Sequence, residues 1–85
     1  MKYKLLYSPE AKGSIENLPG NLKNIAERIM TNISANPFNG TKLLGKLTGL
    51  YSVRVTRRYR AIYYINTSSQ TVFIVDVIHR KESYR

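Results

Sequence analysis

Eighty-five residues with 42% hydrophobic and 22% charged side chains make one domain's worth of chain, too apolar for the disordered class. Cysteine is absent, which removes disulfides, thiolate metal sites and cysteine nucleophiles and fits a cytoplasmic setting. Fourteen Lys and Arg against five Asp and Glu give a formal net charge of +9, an excess that draws polyanions, nucleic acid first among them.

No apolar run approaches the roughly 20 residues a membrane span requires, so no membrane partner is expected. A single domain over residues 1–85 is the expected organisation, with the modest stability of a small core. Between Glu27 and Asp76 there is no carboxylate, while Arg28, Lys42, Lys46, Arg54, Arg57, Arg58 and Arg60 fall in that interval. A basic protein with no nucleic-acid partner, or one neutralised by an acidic protein, has the same composition.

In chain order, residues 2–7 alternate and then turn apolar, as an opening strand does. Ser8-Pro9-Glu10 reads as cap, first helical position and first-turn acid, predicting a short helix to about Leu18. Pro19-Gly20 ends it. Asn21 is the next expected cap, and Leu22, Ile25, Ala26, Ile29, Met30 and Ile33 recur at helical spacing until Asn36-Pro37, completing a helical hairpin. Leu43-Leu44 with Leu47 is a candidate short strand. Tyr51, Val53 and Val55 alternate with Ser52, Arg54 and Thr56, predicting a strand with one apolar and one polar face. After a turn at Arg57-Arg58, residues 59–65 and 71–78 read as two more strands about the loop 66–70, the last of them expected to be the most buried. The predicted class is α+β: an N-terminal strand, a two-helix hairpin, then an antiparallel sheet of three to four strands. The hairpin covers one face and leaves the Arg54 face free.

Elimination narrows the chemistry. After residue 28 the chain holds only two carboxylates, Asp76 and Glu82, too few for a two-metal nuclease, and His79 is the sole histidine. No glycine-rich phosphate loop occurs, so neither a metal nor a cofactor is expected. Arg54, Arg60 and the closing run 77–84 remain. Three converging arginines would clamp the pentavalent phosphate of RNA cleavage, where the 2′-hydroxyl supplies the nucleophile. Each has a plain alternative: Arg54 and Arg60 as solvated strand residues, His79 as a hydrogen-bonded structural histidine, Tyr84 as a packing residue, Lys42 and Lys46 as edge-strand protection.

Five segments in order, 3–11, 37–44, 49–55, 59–64 and 78–84, together resemble the RelE/ParE superfamily of toxin–antitoxin toxins, on the RelE side. That resemblance implies cleavage of messenger RNA in the ribosomal A site, with 2′,3′-cyclic phosphate and 5′-hydroxyl ends. It also implies neutralisation by an acidic antitoxin in a hetero-oligomer. It assigns phosphate binding to Arg54, the scissile phosphate to Arg60, the leaving group to Arg80, base stacking or 2′-hydroxyl orientation to Tyr84, and acid/base work to His79. Lys42, Lys46, Arg57, Arg58 and Lys81 become candidate contacts to RNA and ribosome. Ser52 departs from the pattern: it stands where some RelE toxins carry lysine, so the general base has to be His79 or Tyr84, or catalysis is slow. The competing readings are a gyrase inhibitor of the ParE type and an inactive RNA- or antitoxin-binding module.

Overall fold

The computed structural model describes residues 2–79. The chain runs β1 (Lys4–Tyr7), α1 (Pro9–Glu16), α2 (Gly20–Ala35), β2 (Thr41–Lys42), β3 (Tyr51–Arg54), β4 (Tyr59–Asn66) and β5 (Thr71–His79), with short 3-10 turns at Pro37–Asn39 and Gly45–Leu47.

Ser8 caps α1 as expected: its Oγ accepts the Ala11 amide at 2.9 Å and donates to the Val75 carbonyl at 2.5 Å, so one hydroxyl starts the helix and fastens it to β5. The cap of α2 differs from expectation. Pro19, not Asn21, is the capping residue, and its carbonyl receives the amides of both Leu22 and Lys23. Proline lacks only the donor, and its free carbonyl serves this role without a side chain. Met30, Ile33 and Ala26 of α2 are buried with Ala11 and Leu18 against Val55, Ala61, Tyr63, Val72, Ile74 and Val77 of the sheet region.

The sheet has five strands in the order β1-β5-β4-β3-β2, not three to four, and it is mixed. β1 lies parallel to β5, with Leu5 opposite Val72 and Tyr7 opposite Ile74, while the other neighbours are antiparallel. An apolar β5 has backbone groups on both edges to satisfy, and β1 fills the edge that the meander leaves open. The expected strand at Leu43-Leu44 and Leu47 is also displaced. β2 is Thr41–Lys42, and Gly45 at φ 67° turns the chain into a 3-10 turn that leaves Leu44 82% exposed. β5 is the most deeply placed strand, as expected, with no exposed residue, and β4 adds Ala61 and Tyr63 at 0% exposure beside Val72 and Ile74 at 0%.

One close approach ties the helical layer to the sheet. The Tyr63 hydroxyl, pushed up to about 12 chiefly by burial, donates to the Pro37 carbonyl at 2.7 Å. A Cβ on Gly40 would stand 2.1 Å from that hydroxyl and 3.1 Å from the Ser52 carbonyl oxygen. We expect Gly40→Ala to lower unfolding free energy by about 1–3 kcal/mol through overpacking, and Tyr63→Phe by about 0.5–1.5 kcal/mol through the lost hydrogen bond. The double variant should cost less than the sum, since removing the hydroxyl relieves the clash. Urea denaturation of the four proteins decides it, and strict additivity would refute the steric account.

Candidate RNA-facing surface

Period-two alternation sorts the strand side chains onto two faces. Tyr51, Val53, Tyr59, Ala61, Tyr63, Val77 and their neighbours pack with the helices. Residues between them, Ser52 and Arg54 on β3 with Arg60, Ile62 and Tyr64 on β4, belong to the opposite face.

Arg54 and Arg60 are direct cross-strand partners, with Ile78 beyond Arg60 on β5. Like charges placed opposite one another destabilise a sheet, by roughly 0.2–1 kcal/mol for pairs of this kind. The flanking positions offer no relief: Ser52 and Ile62, one ladder step along on that face, are neutral. One carboxylate of the described residues lies in this part of the sheet, Asp76 as the cross-strand partner of Ile62. Glu10, Glu16 and Glu27 lie on the helices, and Asp76 accepts through one oxygen from the Ser14 hydroxyl at 2.9 Å and from the Val77 amide at 2.7 Å. Two arginines thus face each other where an anion can bridge both forks.

The other sequence candidates do not all gather there. His79 is the cross-strand partner of Tyr59, their ring centroids 5.2 Å apart in an edge-on contact. Tyr59 packs against the core, so this pair belongs to the helix-bearing face and His79 stands away from the two arginines. Ser52 is only 1% exposed, a buried hydroxyl and no general base. Lys42 pairs with Tyr51, which places it on the helix side of the edge, while Thr41, opposite Ser52, shares the arginine face. Lys46 is exposed in the 3-10 turn, and Arg57 and Arg58 are exposed at the β3–β4 turn, where the Arg58 amide donates to the Thr56 hydroxyl at 3.2 Å. Arg80, Lys81 and Tyr84 lie outside the described residues.

Among the described residues, no three His, Asp or Glu side chains gather as metal ligands. A groove of about 130 Å³ between the end of α2 and β3, lined by Ile29, Ile33, Asn36, Gly40 and Val53, holds none of the candidate residues. Among the described residues, no helix is long and apolar enough to cross a membrane. One feature of the arginine face escaped the sequence reading: Tyr64 and Phe73 stack across β4 and β5, centroids 5.3 Å apart at 30°. The signal was available, because Arg60, Ile62 and Tyr64 keep the same alternation.

The model of the ParE toxin of type II toxin–antitoxin systems matches residues 5–84. No curated protein matches the chain. Among solved structures, the RelBE2 toxin–antitoxin complex of Mycobacterium tuberculosis superposes with a TM-score of 0.85 at 26% identity, over 96% of this chain and 95% of that one. The YoeB/ParE toxin of Agrobacterium tumefaciens gives 0.81 at 20% identity, over 91% and 98%. The archaeal RelE–RelB complex of Pyrococcus horikoshii gives 0.77 at 19%, over 98% and 100%.

Proposed function

Because the chain belongs to the ParE toxin family of type II toxin–antitoxin systems, within the RelE/ParE superfamily, we propose that it arrests translation as a ribosome-dependent, metal-independent messenger endoribonuclease. The observation that carries this reading is the opposed pair Arg54 and Arg60. A sheet keeps two facing guanidinium groups at a cost in stability, and an anionic phosphate between them repays it.

The chemistry asks little else of the protein. The 2′-oxygen attacks the adjacent phosphorus, a 2′-O–P bond forms as the P–O5′ bond breaks, the 2′-proton leaves, and the 5′-oxygen takes up a proton. Products are a 2′,3′-cyclic phosphate and a 5′-hydroxyl. Arg54 and Arg60 stabilise the charge on the equatorial oxygens, preorganised by the β3–β4 ladder. Arg80 at the leaving oxygen and Tyr84 at the 2′-hydroxyl complete the set on family resemblance. His79, on the other face beside Tyr59, is the weaker choice of base, which leaves Tyr84 in that role.

The partner follows from the same family membership. An acidic antitoxin, in a hetero-oligomer like the toxin–antitoxin complexes that superpose on this chain, would cover the cationic face and keep it from RNA. A second reading, inhibition of DNA gyrase, is favoured by the ParE family match itself. Incubation with programmed ribosomes, followed by mapping of messenger 5′ ends, separates the two. New ends within the A-site codon are expected. Intact messenger together with inhibited supercoiling by gyrase would transfer the assignment to the second reading.

A further inference from the structure

We infer that Tyr64 and Phe73 form a base-stacking platform for single-stranded RNA on the arginine face, an inference that rests on the reading of that face as RNA-binding. Leu6, Phe73 and Tyr64 are successive cross-strand neighbours over β1, β5 and β4, and Leu6 and Tyr64 are 46% and 43% exposed. The rings of Tyr64 and Phe73 already stack on one side. On the other side, ladder pairing with β3 ends at Tyr51 opposite Tyr63, and the Tyr64 side chain stays 43% exposed, within reach of a ligand.

A stack of one exposed ring, Tyr64, on one half-buried ring, Phe73, could serve only the sheet, or it could receive an apolar protein surface. Its electrical setting favours a polyanion with flat bases. Lys4, by alternation in β1, joins Arg54 and Arg60 on this face, the helix carboxylates Glu10, Glu16 and Glu27 stand on the opposite side, and the one nearby acid, Asp76 opposite Ile62, is engaged by the Ser14 hydroxyl. Tyr64 lies four positions along β4 from Arg60, ~13 Å at strand rise, so one short strand can place a phosphate at the arginines and a base on the ring. Stacking of this kind tolerates any base, since every base has a π-face.

The test is fluorescence anisotropy with a fluorescein-labelled single-stranded RNA of roughly 12 nucleotides, within the span one such surface covers, and an abasic strand of equal length. Tyr64→Ala should weaken RNA binding roughly tenfold and leave abasic binding unchanged. Its salt slope should match wild type, whereas Arg54→Gln should reduce the slope by about 1. Tyr64→Trp should restore affinity, and because the chain has no other tryptophan, the indole reports directly: RNA should quench it and the abasic strand should not. Absence of RNA binding by wild type, unchanged affinity in a folded Tyr64→Ala, or an indole blind to saturating RNA overturns the platform, the last leaving the patch to a protein contact. Ribosome assays on the same proteins keep the two claims apart. RNA binding through Tyr64 with messenger left intact refutes the nuclease and keeps the platform; cleavage with Tyr64-independent binding does the reverse.

Discussion

Arg60→Ala should lower messenger cleavage by roughly 10²–10³, the usual effect of removing one preorganised transition-state donor. The variant should fold as well as wild type or better. Arg60 faces Arg54 directly, so its removal relieves a like-charge contact while leaving the backbone ladder intact. Lost activity with an unchanged or raised melting temperature is therefore the signature of a phosphate-binding arginine. A structural arginine would lose both together. Arg80→Ala should have a similar effect on cleavage. Growth arrest at wild-type strength from a folded double variant would remove both residues from the catalytic set.

A messenger with 2′-deoxyribose at the cut position should resist cleavage altogether, while the same change one nucleotide downstream should have little effect. The reasoning is that the protein lends alignment and charge, and the nucleophile belongs to the substrate. End-group analysis provides the second arm: a 5′-hydroxyl and a cyclic phosphate are expected. A 5′-phosphate product, meaning that water and not the 2′-oxygen attacked, would falsify the mechanism outright. Chelator sensitivity is a poor substitute, because ribosomes themselves need Mg²⁺.

Local signals in the sequence were legible where one residue decides one event. Ser8-Pro9 starts α1 because a hydroxyl acceptor and a donor-free first position are both used in place. The β3–β4 alternation likewise reads directly as two faces. What escaped depends in part on partners distant in sequence and in part on local turns that a residue pattern does not fix. Nothing within residues 2–7 announces a parallel pairing with β5, and a leucine run at 43–47 does not announce that Gly45 will bend it. The same holds for the candidate site. Arg54 and Arg60 come together because a short turn joins their strands, whereas His79 follows the register of β5 onto the opposite face. Proximity in the closing segment to an arginine motif was not evidence of a shared face, because one residue along a strand inverts direction.

The parallel seam between β1 and β5 orders events in time. Ser8 and Val75, 67 positions apart, are joined by one hydrogen bond, and the β1 ladder closes only against residues 71–74. Contacts of such separation pay loop-closure entropy before they return any enthalpy, which places this fold among slower folders. A nascent chain that stops before Thr71 has its first strand unmatched and β4 with a bare edge, an aggregation-prone state. Synthesis at roughly 5–20 residues per second then gives a newly made toxin an interval in which it is present as polypeptide with its β1–β5 seam still open. An antitoxin already in the cell can meet the chain during that interval, before the first strand has found its place beside β5.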